Sequence, residues 1–182
     1  MSNAYIFFAE GFEEIEALVV LDVLKRGGVK VNMVSVGDDQ FVTSSHGVMI
    51  KCDSMFADNK YEDADLLVLP GGMPGTTNLA ANKGLMDLVV KQAEAGKRVA
   101  AICAAPSILG QLGLLNGKRA TCFPGFEDKL VGAKLTTEKV VTDGIFTTAK
   151  GMGAGLLFAL ELLAILEGPE MADKIAKAVQ YI

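Results

Sequence analysis

Short apolar segments alternate with amphipathic segments along most of the chain. The first apolar segment, residues 4–9, has the uninterrupted hydrophobic run of a buried strand. The next segment, residues 12–28, repeats its apolar residues with the period of a helix and ends at Gly27 and Gly28, as helices often do. The pattern therefore predicts a strand followed by a helix at the start of the chain.

The same alternation continues toward the C-terminus, where apolar and β-branched clusters predict strands and helical spacing predicts helices. Residues 41–53 have the polar turn and flanking alternation of a hairpin, or of a short excursion at the edge of a sheet. The further predicted strands cover residues 29–37, 64–72, 98–103, 118–125, 135–144 and 145–151, and the further predicted helices cover residues 83–97, 105–115, 153–168 and 169–182.

Strands that alternate with helices predict an α/β fold, because parallel neighbours in a sheet require crossover helices. We expect a mostly parallel sheet between two helical layers, which is a three-layer α/β/α sandwich. The length of the chain fits one domain, residues 1–182. In such sheets ligands bind beyond the carboxyl ends of the strands, so the residues directly after each strand are the candidates for function.

Composition and charge argue against several classes of function. The formal net charge of −5 disfavours a nucleic-acid partner, because phosphate binding requires clustered Lys and Arg. We see neither an apolar run of membrane-spanning length nor a secretory leader, so we expect a cytoplasmic protein without a membrane partner. The three cysteines are then expected as free thiols. The single histidine, His46, gives no metal-ligand spacing, and we expect neither a metal nor another cofactor.

Cys103 stands where a predicted strand runs into a predicted helix. A nucleophile elbow needs small residues around its reactive side chain, and here Ala101 and Ala105 stand two positions to either side. The start of the helix would also stabilise a thiolate and lower the thiol pKa. The alternative is that Cys103 ends a buried strand as a small apolar residue. The local pattern favours the reactive cysteine.

Paired glycines after the neighbouring strand are candidates for an oxyanion hole. Gly71 and Gly72 follow Pro70, and a glycine lets a backbone N–H approach a substrate oxygen without a Cβ in the way. Together with the N–H of Ala104, they would stabilise negative charge beside the cysteine. A tight turn that requires a positive φ explains the glycines equally well, and both interpretations can hold together.

Three glutamates follow the first predicted strand, and Glu16 differs from Glu13 and Glu14 in its apolar neighbours, Ile15 and Ala17. Acidic residues are favoured in the first turn of a helix, so most of this cluster requires no function. A Glu16 side chain that points at the strand ends would be buried beside a thiolate, which would raise its pKa and keep it protonated. Such a carboxyl group could donate to the sulfur or transfer a proton.

Weaker signals lie outside these segments. Residues 151–157 follow a strand and open a helix, but they lack the third glycine of a dinucleotide fingerprint and favour close packing or a backbone N–H site. Cys52 and Cys122 lie in predicted strands without an elbow, which favours a structural role. His46 lies in a polar turn, where we expect it to be solvated.

Four motifs carry a resemblance to a known superfamily. The segments AEGFEEIEA, DVLKRGG, LVLPGG and AAICAAP have the order and spacing of the ThiJ/PfpI superfamily, on the branch of the Parkinson-associated deglycases. The similarity covers nearly the whole chain. It implies a flavodoxin-like sandwich formed by one ThiJ/PfpI-like domain, of the class I glutamine amidotransferase-like type, and a homodimer.

The resemblance also implies roles for particular residues. Cys103 matches the reactive cysteine, and Glu16 matches its protonated carboxyl partner. Gly72 and Ala104 match the backbone oxyanion donors. Peptidase-like members carry a histidine directly after the nucleophile, whereas this chain carries Ala104, so proteolysis is not expected.

Accessory positions match the superfamily in part. Asp22 and Arg26 match a pair near the dimer contact, and His46 falls where relatives often carry an arginine close to the site. After the elbow, where the deglycase branch can place a histidine in a strand, this chain has Phe123 followed by Pro124. Without that imidazole, the general base must be the glutamate, water or a residue that the sequence does not identify.

These observations lead to hypotheses of different classes. The first is an enzyme of carbonyl and oxidative stress defence, a glyoxalase or deglycase acting on methylglyoxal, glyoxal or early glycation adducts through Cys103 with Glu16. The second is a redox sensor or chaperone that works through a Cys103 sulfinate. A third function, by which some relatives are labelled, is thiazole monophosphate biosynthesis in the thiamine pathway. The sequence shows no phosphate-binding loop of the P-loop type that would support it. The expected partners are a small dicarbonyl or glycated substrate and a second copy of the chain.

Overall fold

A computed structural model describes the whole chain, residues 1–182. The strands are β1 (Asn3–Phe8), β2 (Lys30–Ser35), β3 (Phe41–Thr43), β4 (Met49–Lys51), β5 (Ser54–Met55), β6 (Leu66–Leu69), β7 (Arg98–Ile102), β8 (Arg119–Ala120), β9 (Lys134–Leu135), β10 (Val140–Asp143) and β11 (Phe146–Ala149). The α-helices are α1 (Glu14–Arg26), α2 (Gly75–Ala81), α3 (Lys83–Glu94), α4 (Pro106–Gln111), α5 (Gly155–Glu167) and α6 (Pro169–Ala178). None of these helices combines the length and the apolar character needed to cross a membrane.

Seven strands form the main sheet in the order β10-β11-β7-β6-β1-β2-β5. Neighbouring strands are parallel except β10 and β11, which form an antiparallel pair at one edge. The expectation of a mostly parallel sheet is confirmed. Parallel order follows from the helices, which return the chain to the same edge of the sheet before each new strand.

The central strand β1 shows how the sheet is covered on both faces. Its side chains alternate, so that Ile6 and Phe8 belong to one apolar cluster while Tyr5 and Phe7 belong to another. The first cluster includes residues of α1, α5 and α6, and the second includes residues of α2, α3 and α4. Burial on both faces is typical of parallel sheets. The predicted α/β/α sandwich is therefore confirmed.

Two local predictions are wrong, and one helix was not predicted. The strand predicted over residues 118–125 is reduced to β8, which pairs only with β9 in a separate sheet, so Phe123 lies at a bend and not in a strand. Pro124 has no N–H with which to extend the ladder. The helix predicted over residues 105–115 ends at Gln111.

Helix α2 was not predicted, because its sequence GTTNLAA has low helix propensity and little apolar periodicity. The hairpin over residues 41–53 is confirmed by the antiparallel pair β3 and β4.

Adjacent parallel strands bring the candidate residues to one edge of the sheet. The carboxyl ends of β11, β7, β6 and β1 lie side by side. Cys103 follows β7, Gly71 and Gly72 follow β6 after one residue, and Gly151 follows β11 after one residue. Helix α1, which carries Glu16, begins after the short loop that leaves β1. The topology therefore gathers residues that are far apart in the sequence.

Candidate active site

Cys103 occupies the turn between β7 and α4. Its φ of 65° lies in the left-handed region, an uncommon conformation for a residue with a side chain. Two backbone hydrogen bonds hold it there: its N–H donates to the carbonyl of Ala149 at 2.9 Å, and its carbonyl accepts from the N–H of Phe123 at 2.8 Å. The turn has the geometry of a nucleophile elbow, in which a strained backbone projects one side chain.

Glu16 brings a carboxyl group to the same place from helix α1. The residue is only 1% exposed, although carboxyl groups are rarely buried without a partner. Its Oε2 accepts a hydrogen bond from the N–H of Gly71 at 3.1 Å. Its own backbone N–H donates to Oε2 of Glu13 at 2.7 Å, which caps the start of α1. The cap fixes the helical turn from which Glu16 points inward.

Glycines at positions 71 and 72 allow this close approach. A Cβ added to Gly71 would lie 2.5 Å from both the Cβ of Cys103 and Oε2 of Glu16. Gly72 has a φ of 91°, and a Cβ there would lie 2.4 Å from the backbone nitrogen of Glu13. The positive φ of Gly72 confirms the tight turn, and Gly71 gives the space for the approach of Glu16 to Cys103. The N–H of Gly71 donates to Glu16, so the oxyanion hole stays a prediction for Gly72 and Ala104.

Burial raises the pKa of Glu16 to about 7, because a carboxylate is poorly solvated inside the protein. The negative charge of Glu13 adds to the rise. The Cys103 thiol and the backbone N–H groups of Gly71 and Met152 oppose it by stabilising the carboxylate. Near neutral pH the carboxyl group is therefore able to accept and to release a proton, which is what general acid–base catalysis requires.

The pKa of Cys103 is raised to about 12, first by burial and then by the negative charge of Glu16. The backbone N–H groups of Gly72 and Ala104 act in the opposite direction, because they stabilise a thiolate. The prediction that a helix N-terminus lowers this pKa is wrong: α4 has only 6 residues, and burial beside a carboxyl group outweighs its small dipole. At neutral pH the thiol stays protonated and the carboxyl group is partly ionised, so the pair carries less than one negative charge.

The other two cysteines differ from Cys103 in exposure. Cys52 and Cys122 are buried, whereas Cys103 is partly exposed. Burial raises the pKa of Cys52 to about 12 and that of Cys122 to about 11. Cys103 is therefore the thiol that reagents reach most easily.

His46 lies in the turn between β3 and β4. It is exposed, as expected, but its Nδ1 lies 3.0 Å from Oε1 of Glu14, and this carboxylate raises the pKa of the imidazole. Ligand atoms of Glu13, Glu14 and His46 lie within 4.8 Å of one another. The sequence did not reveal this grouping, because the hairpin that brings His46 to α1 lies far along the chain. His46 makes no hydrogen bond to Glu16.

Asp22 and Arg26 form an ion pair on the exposed surface of α1. Arg26 Nε lies 2.7 Å from Oδ2 of Asp22, and the two residues are one turn apart. Both lie more than one helical turn beyond Glu16 along the same helix. The pair is therefore separate from the thiol and carboxyl groups in this chain.

Phe123 and Pro124 line an open cleft of about 450 Å³, and neither Cys103 nor Glu16 is among its lining residues. Gly151 connects the cleft to the carboxyl group, since a Cβ added there would lie 3.2 Å from Cδ2 of Phe123 and 3.6 Å from Oε1 of Glu16. The cleft therefore lies close to the Glu16 carboxyl group, with Gly151 between them. The other residues that line it are Lys139, Lys150, Met152, Gly153 and Ala154.

Known proteins resemble this chain over most of its length. The sequence profile of the DJ-1/PfpI family matches residues 2–165. Protein DJ-1 homolog B of Arabidopsis thaliana is 39% identical over 92% of this chain, which spans only 39% of that longer protein. The Caenorhabditis elegans protein named glutathione-independent glyoxalase DJR-1.2 is 35% identical, over 92% of this chain and 90% of that protein. The structure of oxidized Toxoplasma gondii DJ-1 matches with a TM-score of 0.95 and 32% identity, over 99% of this chain and 98% of that one.

Replacement of Glu16 by glutamine should change how stability depends on pH. A carboxyl group whose pKa is raised from 4.5 to about 7 stabilises the fold at low pH and loses this contribution as pH rises through about 7. The free energy of unfolding of the wild type, relative to Glu16→Gln, should therefore fall by about 3 kcal/mol between pH 4 and 8. Urea denaturation across this range measures the difference. A difference that is constant with pH would contradict the raised pKa.

Replacement of Gly71 by alanine should destabilise the fold through a clash with Cys103 and Glu16. We expect a loss of about 1–3 kcal/mol in the free energy of unfolding, as for other overpacked sites. Gly37→Ala is the matched control, because a Cβ there meets only Oγ of Ser35, at 3.7 Å. Denaturant unfolding of both variants tests the point, and equal effects would show that the space at Gly71 is not needed.

Proposed function

The chain belongs to the DJ-1/PfpI family, and on that premise we propose that it is a cysteine-dependent glyoxalase acting on methylglyoxal or glyoxal. The observation that carries the proposal is the meeting of a thiol at a strained elbow, Cys103, with a buried carboxyl group, Glu16, whose pKa is about 7. The relative named glutathione-independent glyoxalase supports this reaction class. In such a reaction the thiol of the protein takes the place of a thiol cosubstrate.

In the first step, the sulfur of Cys103 adds to the aldehyde carbon of the substrate. The thiol proton passes to the Glu16 carboxylate as the carbon–sulfur bond forms, so the raised thiol pKa does not prevent attack. The aldehyde oxygen gains negative charge, and the N–H groups of Gly72 and Ala104 would donate hydrogen bonds to it. Glu16 then gives the thiol proton to the oxygen, which yields a hemithioacetal and restores the carboxylate.

In the second step, Glu16 moves a proton within the hemithioacetal. It removes the proton from the carbon that bears sulfur, the electron pair shifts toward the neighbouring ketone, and a proton is returned to the former ketone carbon. The first carbon is thereby oxidised and the second is reduced, so no external electron acceptor is required. Water then hydrolyses the thioester at Cys103, which releases a 2-hydroxy acid and restores the thiol.

The same chemistry extends the proposal to early glycation adducts and to carbonyl stress defence. A protein or nucleotide that carries a dicarbonyl-derived group presents the same carbons to the thiol, and removal of free dicarbonyl would also reverse such adducts by mass action.

We further propose a cytoplasmic homodimer. The exposed apolar side chains of Ile15, Val48 and Met49 support a second copy that covers the start of α1 and the β3–β4 hairpin.

A second function, redox sensing or chaperone activity, is favoured by the relative that was solved in an oxidized form. One peroxide would convert the Cys103 thiol to a sulfenic acid and a second would give a sulfinic acid, with one water released at each step. Protonated Glu16 and the N–H of Gly72 would donate hydrogen bonds to the sulfinate oxygens. The oxidised protein would then signal or protect client proteins without turnover.

Turnover of methylglyoxal should depend on both reacting groups. Purified wild type should form lactate catalytically, in a buffer without amines or added thiols, with kcat/KM rising through about pH 7 as Glu16 becomes a base. Cys103→Ser and Glu16→Gln should each lose about 100-fold or more in kcat/KM. Cys52→Ala is the control for removal of a thiol outside the site. Methylglyoxal loss that is stoichiometric, or that persists in both site variants, would refute the glyoxalase proposal.

Peroxide should oxidise Cys103 before the other thiols. We expect mass spectrometry of peptides to show two added oxygens on Cys103, with Cys52 and Cys122 unmodified because both are buried. The sulfinate should accumulate less in Glu16→Gln than in the wild type, since the amide cannot supply the carboxylic O–H donor. Equal oxidation of all three cysteines would argue against the sensor.

A further inference from the structure

The cleft beside Cys103 carries positive charge that the proposed reaction does not use. Its volume of about 450 Å³ exceeds what a three-carbon dicarbonyl fills. Two of its lining residues, Lys139 and Lys150, are basic, and none is acidic. The whole chain has a formal net charge of −5, so this local excess of positive charge does not follow from the composition.

The two lysines lie at the ends of neighbouring strands, and neither forms an ion pair. The N–H of Lys150 donates to the carbonyl of Lys139 at 3.0 Å, where the chain enters β10 and leaves β11. The four ion pairs of the structure involve other residues. Lys150 is half-buried, and Lys139 is exposed. Two lysines that line one cleft and form no ion pair favour the binding of an anion there.

A smaller cavity of about 190 Å³ shares Pro124 and Lys150 with the cleft. Thr121, which is 2% exposed, and Thr136 also line this cavity, and Oγ1 of each is buried without a hydrogen-bond partner. Burial of a hydroxyl group without a hydrogen-bond partner reduces the stability of the fold, so we expect a ligand or water to bind these two groups. Glu127 is the acidic residue of the cavity, and its Oε2 already accepts a backbone N–H at 2.6 Å.

We propose that the cleft binds an anionic tail of the substrate, a carboxylate or a phosphate carried by a 2-oxoaldehyde. This inference rests on the proposed glyoxalase function. The aldehyde lies at Cys103, the tail passes Phe123 and Pro124, and its anionic end meets Lys150 and the hydroxyl of Thr121. Methylglyoxal has a methyl group in place of the tail and is the minimal substrate. The tail takes no part in bond making, so the product is a 2-hydroxy acid with a second anionic group.

Kinetics with a matched pair of substrates test the proposal. The pair is 4,5-dioxopentanoate, which has a carboxylate tail, and its uncharged methyl ester; 3-phosphooxy-2-oxopropanal tests a phosphate tail. Wild type should prefer at least one anion to the ester by about fivefold in kcat/KM, the strength of one partly exposed ion pair. The preference should decrease at high salt, because ions screen exposed charges. Equal kcat/KM for the ester and both anions would overturn the proposal.

Variants identify the groups that give the preference. Lys150→Gln and Thr121→Val should each reduce the ratio of anion to ester toward one, and Lys150→Glu should invert it. Lys174→Gln, which removes the same charge from helix α6, should leave the ratio unchanged. A ratio that is unaffected by both Lys150→Gln and Thr121→Val would place the anion elsewhere and overturn the proposal.

A binding measurement separates failure of the cleft from failure of the reaction. In Cys103→Ser protein, 4-oxopentanoate and its methyl ester are titrated by NMR, since neither carries the reactive aldehyde. Binding of the acid about fivefold tighter than the ester, lost in Lys150→Gln, supports the anionic cleft even if no lactate forms with the wild type. Catalytic lactate formation without any preference for the acid, in binding or in kinetics, overturns the cleft and leaves the glyoxalase proposal intact.

Discussion

A buried carboxyl group and a thiol meet in a space that any Cβ at position 71 would fill, and the rest of the site depends on this contact. Glu16 is held there by the N–H of Gly71, and the Cys103 Cβ stands equally close to that glycine. Burial makes a second negative charge costly, so at neutral pH the thiol keeps its proton while the carboxyl group is partly ionised. In the proposed reaction, a partly ionised Glu16 would let a thiol with a raised pKa act as a nucleophile, because the carboxylate would accept its proton.

The fold maintains two unfavourable features at this point. The left-handed backbone of Cys103 costs on the order of 1–3 kcal/mol, and the buried carboxyl group loses solvation. Hydrogen bonds from the neighbouring strand β11 and from the loop at Phe123 hold the elbow, while the Glu13 cap holds the helix that presents Glu16. The apolar clusters on both faces of the parallel sheet supply the stability that permits such local strain.

Local patterns in the sequence predicted the reacting pair better than its surroundings. Cys103 and Gly72 were identified because small residues at the end of a strand predict a tight turn. This prediction needs only the neighbouring residues in the sequence. Lys139 and Lys150 were missed because their proximity arises from the antiparallel β10–β11 pair, which residue spacing alone does not specify. The direction of the Cys103 pKa shift was wrong for a related reason, since the length of α4 and the depth of burial are properties of the packed structure.

Transfer of a proton from the Cys103 thiol to Glu16 near neutral pH requires that the Glu16 carboxyl group ionises in that range. The measurement is a pH titration of the Glu16 carboxyl carbon by ¹³C NMR, in the wild type and in Cys103→Ser. We expect a midpoint at about 7 in the wild type. A midpoint near 4.5, the ordinary value for a glutamate, would contradict it and would leave Glu16 without the proton that the mechanism requires.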